Sequence, residues 1–150
     1  MSRLDFDLEV RSAVYRHFAD TGRAPAVADI AAATGAAEGD VRGAYGRLYQ
    51  KRMLVLMPDA ESIRMAPPFS GIETQHRVLA NGREYFANCA WDSFGIPAAL
   101  HAEADVISRC EATREPLRLR LAKDGPPPTA GWLFHVAVPA AHWWRDIVYT

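Results

Sequence analysis

Residues 75–100 read QHRVLANGREYFANCAWDSFGIPAAL, and the fold turns on how this stretch is divided. Asn81-Gly82 is the dipeptide that most readily supplies a two-residue turn with positive φ. The flanking segments Gln75–Leu79 and Arg83–Ala87 are therefore predicted as the two strands of one hairpin. A short helix is predicted from about Cys89, running through an apolar stretch with Pro97 inside it. If a helix opens there, Cys89 and Asp92 lie on one face and can reach a single small object.

Upstream the rhythm is helical. In LEVRSAVYRHFADTG (8–22), Val10, Val14 and Phe18 recur every four residues and Gly22 supplies a stop. Pro25 suits the first turn of a second helix carrying Val27, Ile30 and Ala31, which Thr34 and Gly35 end. A third helix, Glu38 to Lys51, buries Val41, Tyr45 and Leu48. MLVLMPDAESIRM (53–65) then alternates and turns at Pro58 to Glu61, as a short hairpin does. Three helices and a hairpin make a winged helix-turn-helix pattern over residues 1–70. Residues 71–150 form a second unit. There PLRLRLA sets Leu117, Leu119 and Leu121 on one strand face and Arg118 and Arg120 on a face in water. DGPPPTAG (124–131) is a proline-stiffened loop, and WLFHVAVP (132–139) is predicted as a buried strand.

The 150 residues carry a formal charge of -1, with 49% apolar and 23% charged residues, which is globular composition without a global field toward nucleic acid or an anionic membrane. No run approaches the roughly 18 apolar residues of a membrane span, and Asp5, Asp7, Glu9 and Asp20 break any signal-peptide pattern. A cytoplasmic protein with two free thiols, Cys89 and Cys110, is expected. A winged helix raises the question of DNA, and the third helix offers Arg42, Arg47, Lys51 and Arg52. Residues 1–70 nevertheless hold nine basic and nine acidic residues, and Glu38 and Asp40 open the supposed reading helix. Phosphate neutralisation needs the opposite balance, so a packing role is the better-supported reading.

A thiolate is a soft ligand suited to mercury or copper(I), and a carboxylate beside it can hold or deliver a proton. Helix-start N–H groups would lower the thiol pKa while Asp92 would raise it. The same cysteine can also be a buried small hydrophobe. Other tempting residues read as structural. His135 in its apolar run is expected to be a hydrogen-bonded core residue, and Trp143 and Trp144 after His142 bury area at the end of the sheet. His76 and His101 have no partner at a recognisable spacing. Ser70 lacks a nearby base and suits a turn. Tyr85 and Phe86 either wall the site or simply fill a strand.

The order of these features resembles the alkylmercury (organomercurial) lyase family over most of the chain. The likeness is most specific at HRVLANGREYFANCAWDSFGIPAAL (76–100), continues through VISRCEATREPLRLRL (106–121), and includes the linker-like MAPPFSGIETQHRV (65–78). It implies protonolysis of a carbon-mercury bond, with Cys89 as the mercury-binding thiolate and Asp92 as the proton-transferring, metal-contacting carboxylate. Thiolate donation to mercury makes the bonded carbon more basic, so a nearby acid can release the hydrocarbon. The resemblance also implies that no cofactor is required, that mercury is a substrate-derived ion, and that cellular thiols accept it afterwards. It makes the N-terminal helices part of the fold and Cys110 a structural cysteine. A second mercury-binding cysteine is expected after a segment like HWWRDIVYT (142–150), and the chain as given ends at Thr150 without one. A lyase-like member with a shortened C-terminus is the resulting expectation.

The sequence thus predicts an α+β fold, a winged-helix-like bundle packed on a small antiparallel sheet with a short active-site helix. Its expected substrate is a small organometallic or soft-metal species, with no nucleic acid and no membrane as partner. Three other readings stay open: a non-lyase enzyme reusing the scaffold, a metal-binding protein without turnover, and a DNA-binding regulator.

Overall fold

Ser2 starts the first helix, accepting the Asp5 N–H on its hydroxyl at 3.1 Å while its own N–H donates to Asp5 Oδ2 at 3.0 Å. This reciprocal cap satisfies two of the unpaired donors that every helix start carries. The computed structural model describes residues 2–127, 131 and 133–148. Helix α1 runs Arg3–Thr21, α2 Val27–Thr34 and α3 Glu38–Gln50. Val10, Val14 and Phe18 of α1 meet Val41, Tyr45 and Leu48 of α3 in the core, as their spacing predicts. Pro25 lies ahead of the α2 cap, Ala26, rather than inside the first turn; Asp29 occupies that turn and accepts the Ala26 N–H at 2.8 Å. Among the described residues one acidic side chain is deeply buried: Asp7, 1% exposed, receives Arg47 at 2.7 Å and lies 3.4 Å from Lys51.

Three short strands follow, β1 Val55–Leu56, β2 Ile63–Ala66 and β3 Phe69–Ser70, antiparallel in the order β1-β2-β3. A second antiparallel sheet has the order β5-β4-β6-β7, built from β4 Arg77–Ala80, β5 Arg83–Phe86, β6 Ala104–Arg109 and β7 Pro116–Leu121. Asn81 (φ 52) and Gly82 (φ 72) join β4 to β5 as predicted, and a bridge between Phe69 and Ala87 ties the two sheets together. Strand β6 supplies the middle of the larger sheet, turning Ala104, Val106 and Ser108 inward.

The core is continuous across these parts. Phe69 stacks on Phe18 of α1 at 5.3 Å and lies 5.8 Å from the ring of Tyr85 in β5. Gly22 makes the close approach of α1 to β5 feasible. Its φ of 73 caps the helix, and a Cβ there would come 2.3 Å from the Glu84 carbonyl oxygen. Tyr85 then donates its hydroxyl to the Ala19 carbonyl at 2.7 Å.

The expected buried strand over 132–139 is a correction. Trp132 lies outside the described residues, and residues 133–139 form no strand; Leu133 is 96% exposed, and His135, expected in the core, is exposed as well. An apolar run becomes a strand only when it pairs with a neighbouring edge, and among the described residues β7 pairs with β6 alone, so residues 133–139 do not add to its open side. The chain instead reaches a 3₁₀ helix, Ala140–Arg145, where the Trp143 indole donates to the Val138 carbonyl at 2.6 Å. Trp144 lies under the Arg52 guanidinium, 6.0 Å from its carbon. Pro128, the last of the loop prolines, is outside the described residues. Among those residues no helix is long and apolar enough to cross a membrane.

Candidate active site

Strand β5 delivers the chain to the Phe69–Ala87 bridge, and the next four residues turn it into helix α4, Asp92–Leu100. The helix begins later than the sequence suggests, because Cys89, Ala90 and Trp91 form the turn that precedes it. The Cys89 carbonyl accepts the Ser93 N–H at 3.2 Å, and the Ser93 hydroxyl donates back to the Ala90 carbonyl at 2.5 Å. Asp92 is thus the first residue of the helix and Cys89 sits just ahead of it. The packing of α4 is close: a Cβ on Gly95 would come 2.9 Å from the Pro68 Cβ.

The two predicted side chains are brought together. Cys89 is a free, half-buried thiol whose pKa is pushed up, first by burial and then by the charge of Asp92. Backbone N–H groups of Asp92 and Trp91 pull it in the opposite direction and do not prevail. The sign that the sequence left open is therefore set by desolvation. Burial also raises the Asp92 carboxyl, against a hydrogen bond from Asn88 that favours its ionised form. Both groups hold their protons more tightly than in water.

Two residues that spacing gave no reason to choose complete this environment. Asn88 donates to Asp92 Oδ2 at 2.9 Å and to the Phe69 carbonyl at 3.1 Å. It stands directly before Cys89, so its amide was visible in the sequence although its partners were not. Tyr15 of α1 donates its hydroxyl to the Pro67 carbonyl at 2.9 Å, and its pKa is raised by burial, with Asp92 adding to the rise and Arg11 opposing it. Trp91 is 60% exposed, and the Phe134 ring stands edge-on to it at 5.5 Å and to Phe94 at 5.0 Å.

The remaining candidates lie elsewhere. Cys110 sits in the turn between β6 and β7 with its thiol pKa lowered by the Thr113 hydroxyl and by the Thr113 and Ala112 N–H groups. His76 does have a partner: its Nδ1 is 2.8 Å from Ser108 Oγ, in a site only 8% exposed for each residue. Ser70 makes a local turn with Ile72. Tyr85 and Phe86 are buried strand residues. His101 ends α4 with φ 49, and His142 is exposed. Arg118 and Arg120 face solvent, Arg120 pairing with Glu103 and Asp105. Clefts of about 530 Å³ between α1 and α3 and about 460 Å³ along β4 and β6 contain neither Cys89 nor Asp92. Among the described residues no group of three or more His, Cys, Asp or Glu is placed to hold a metal ion.

A half-buried thiol and a half-buried carboxyl stand at the start of one helix, and residues 69–150 match the model of the family described as MerB, alkylmercury lyase. The chain belongs to the alkylmercury lyase family. Alkylmercury lyases of Bacillus cereus and Clostridium butyricum are each 34% identical to it over 53 residues, 35% of this chain and 24% of theirs. The mercury-bound crystal structure of MerB2 superposes with a TM-score of 0.63 at 26% identity, covering 79% of this chain and 58% of that one. The match therefore spans about a quarter of the length of the curated relatives and under two thirds of that of the solved structure. The match to the alkylmercury lyase family begins at Phe69, whose carbonyl holds Asn88, and encloses Cys89, Asp92, α4, β6 and β7.

Proposed function

We propose that this protein binds an organomercurial through the Cys89 sulfur and the Asp92 carboxylate and catalyses protonolysis of its carbon-mercury bond. The observation that carries the reading is the shared, partly desolvated position of the two side chains at the start of α4, inside the stretch that matches the family. Mercury is soft and displaces the thiol proton in forming a sulfur-mercury bond. Asp92, with its raised affinity for protons, takes that proton. The electron pair of the carbon-mercury bond then accepts it from Asp92, the hydrocarbon leaves, and mercury remains on Cys89 with the regenerated carboxylate beside it. Cellular thiols remove the ion and return a proton to the cysteine. The protein supplies proximity and a poorly hydrated setting, and the reaction needs no redox step.

The basic residues of α3 and of its C-terminal cap support this reading over a DNA-binding one. Arg42 lies 2.8 Å from Glu38 and 2.9 Å from Glu61, and Arg47 and Lys51 are turned onto Asp7. Charges already paired within the protein contribute little to phosphate neutralisation. The test is incubation with an alkyl- or arylmercury salt and excess small thiol, with detection of the free hydrocarbon. Stoichiometric or catalytic release that vanishes in Cys89→Ser supports the proposal, and no release above the thiol-only control removes it.

A further inference from the structure

Proton delivery to carbon depends on where the Asp92 carboxylate points, and one side chain constrains it. The Asn88 amide nitrogen lies 2.9 Å from Asp92 Oδ2, 3.1 Å from the Phe69 carbonyl oxygen and 3.4 Å from the Pro68 carbonyl oxygen. All three neighbours are acceptors when the carboxylate is ionised, so only the NH2 end of the amide can face them; the flipped amide would set oxygen against oxygen. On its other side Asn88 Oδ1 is buried and has no hydrogen-bond partner. A buried unpaired acceptor is unfavourable, and an apolar side chain of similar size would avoid it. Packing alone therefore does not account for an asparagine here; its donors do.

The anchors are rigid ones. Phe69 is 2% exposed and its strand is bridged to Ala87, one residue before Asn88, so the amide spans two backbone segments fixed to each other. Asp92 stands at the opening of α4, where its carboxylate would otherwise choose among the staggered χ1 rotamers. We infer that Asn88 is a positioning residue, which ties the Asp92 carboxylate to the Pro68–Phe69 backbone and so keeps it beside the Cys89 sulfur. The inference rests on the proposed lyase reading for its catalytic consequence, and on hydrogen-bond geometry alone for the anchoring.

Asn88→Leu removes the donors at similar volume. In single-turnover experiments with an arylmercury salt, the variant is expected to capture the organomercurial through Cys89 within about twofold of the native affinity. Hydrocarbon release from the captured species is expected to fall about 100-fold, the scale on which misplacing a reacting group acts. A purely structural role would instead lower capture and the thermal midpoint together, and that outcome, or unchanged release, overturns the inference. The anchoring has its own readout in the native chain: the side-chain amide protons of Asn88, followed by nuclear magnetic resonance with 15N labelling. Replacement of Asp92 by alanine should move one of the two resonances strongly and leave the partner bonded to Phe69 near its place; no movement refutes the anchoring. A native chain that releases no hydrocarbon while this resonance responds sinks the lyase reading and leaves the Asn88 contact standing.

Discussion

Replacing Phe69 by alanine should destabilise the whole described fold, and the size of the effect follows from what the ring touches. Phe69 is 2% exposed, stacks on Phe18 at 5.3 Å with an interplanar angle of 12°, and has Tyr85 and Tyr15 at 5.8 and 6.2 Å. Its neighbours belong to α1 and β5, which other contacts hold in place, so the hole closes poorly. A phenylalanine-to-alanine change in such a core costs about 3–5 kcal/mol, against a total stability on the order of 5–15 kcal/mol. For a chain of this size the thermal midpoint should fall by roughly 6–20 °C. Far-ultraviolet circular dichroism follows α1 to α3, whereas fluorescence follows the tryptophans, all four of which, at 91, 132, 143 and 144, lie in the second half. Both probes should shift together, because one core joins the helices to the larger sheet. A loss below about 1 kcal/mol, or a fluorescence transition that moves while the helical one stays, would refute the idea that Phe69 links the two.

Gly95→Ala should push α4 off Pro68, where a Cβ would come 2.9 Å from the proline Cβ. Overpacking of about 1–3 kcal/mol, less about 1 kcal/mol gained in helix propensity, leaves a small net loss readable by urea titration, with slower hydrocarbon release. Asp92→Asn should raise the thermal midpoint at neutral pH while abolishing release. The folded-state pKa of Asp92 lies above its ordinary 3.8, so its favourable contribution is complete below 3.8 and is lost as pH rises through the folded value. The gap between native and variant proteins should therefore close on acidification. His76 has the opposite sign: burial lowers it from 6.5, so its contribution is present above 6.5 and lost as pH falls through the folded value. Urea midpoints measured from pH 7.5 down to 5 should fall in the native chain and flatten in His76→Asn.

Elements with a strong local signature were legible in the sequence. The four-residue spacing of Val10, Val14 and Phe18 gave α1, Gly22 gave its end, and Asn81-Gly82 gave the β4–β5 turn. Strand β6 was harder to see, because its inward positions include Ala104 and Ser108, which carry little hydrophobic contrast. The segment 132–139 misled in the other direction, since composition reports apolarity and does not report whether a run pairs with the open side of a sheet. At the site, the spacing of Cys89 and Asp92 was legible and the start of the helix was not. The partners of Asn88 and Tyr15 lie 19 and 52 residues away in the chain, at Phe69 and Pro67, and only the closed fold brings them there. The direction of the Cys89 pKa was similarly hidden, because desolvation depends on what packs around the thiol.

The most direct measurement is an ultraviolet difference titration of mercuric ion, following sulfur-to-mercury charge transfer in the native chain, Cys89→Ser and Cys110→Ser. Cys110 is a demanding rival, since its thiol is the one whose pKa is lowered. The account predicts that the tight site persists in Cys110→Ser and disappears in Cys89→Ser. Retention of that site without Cys89, and its loss without Cys110, would contradict it.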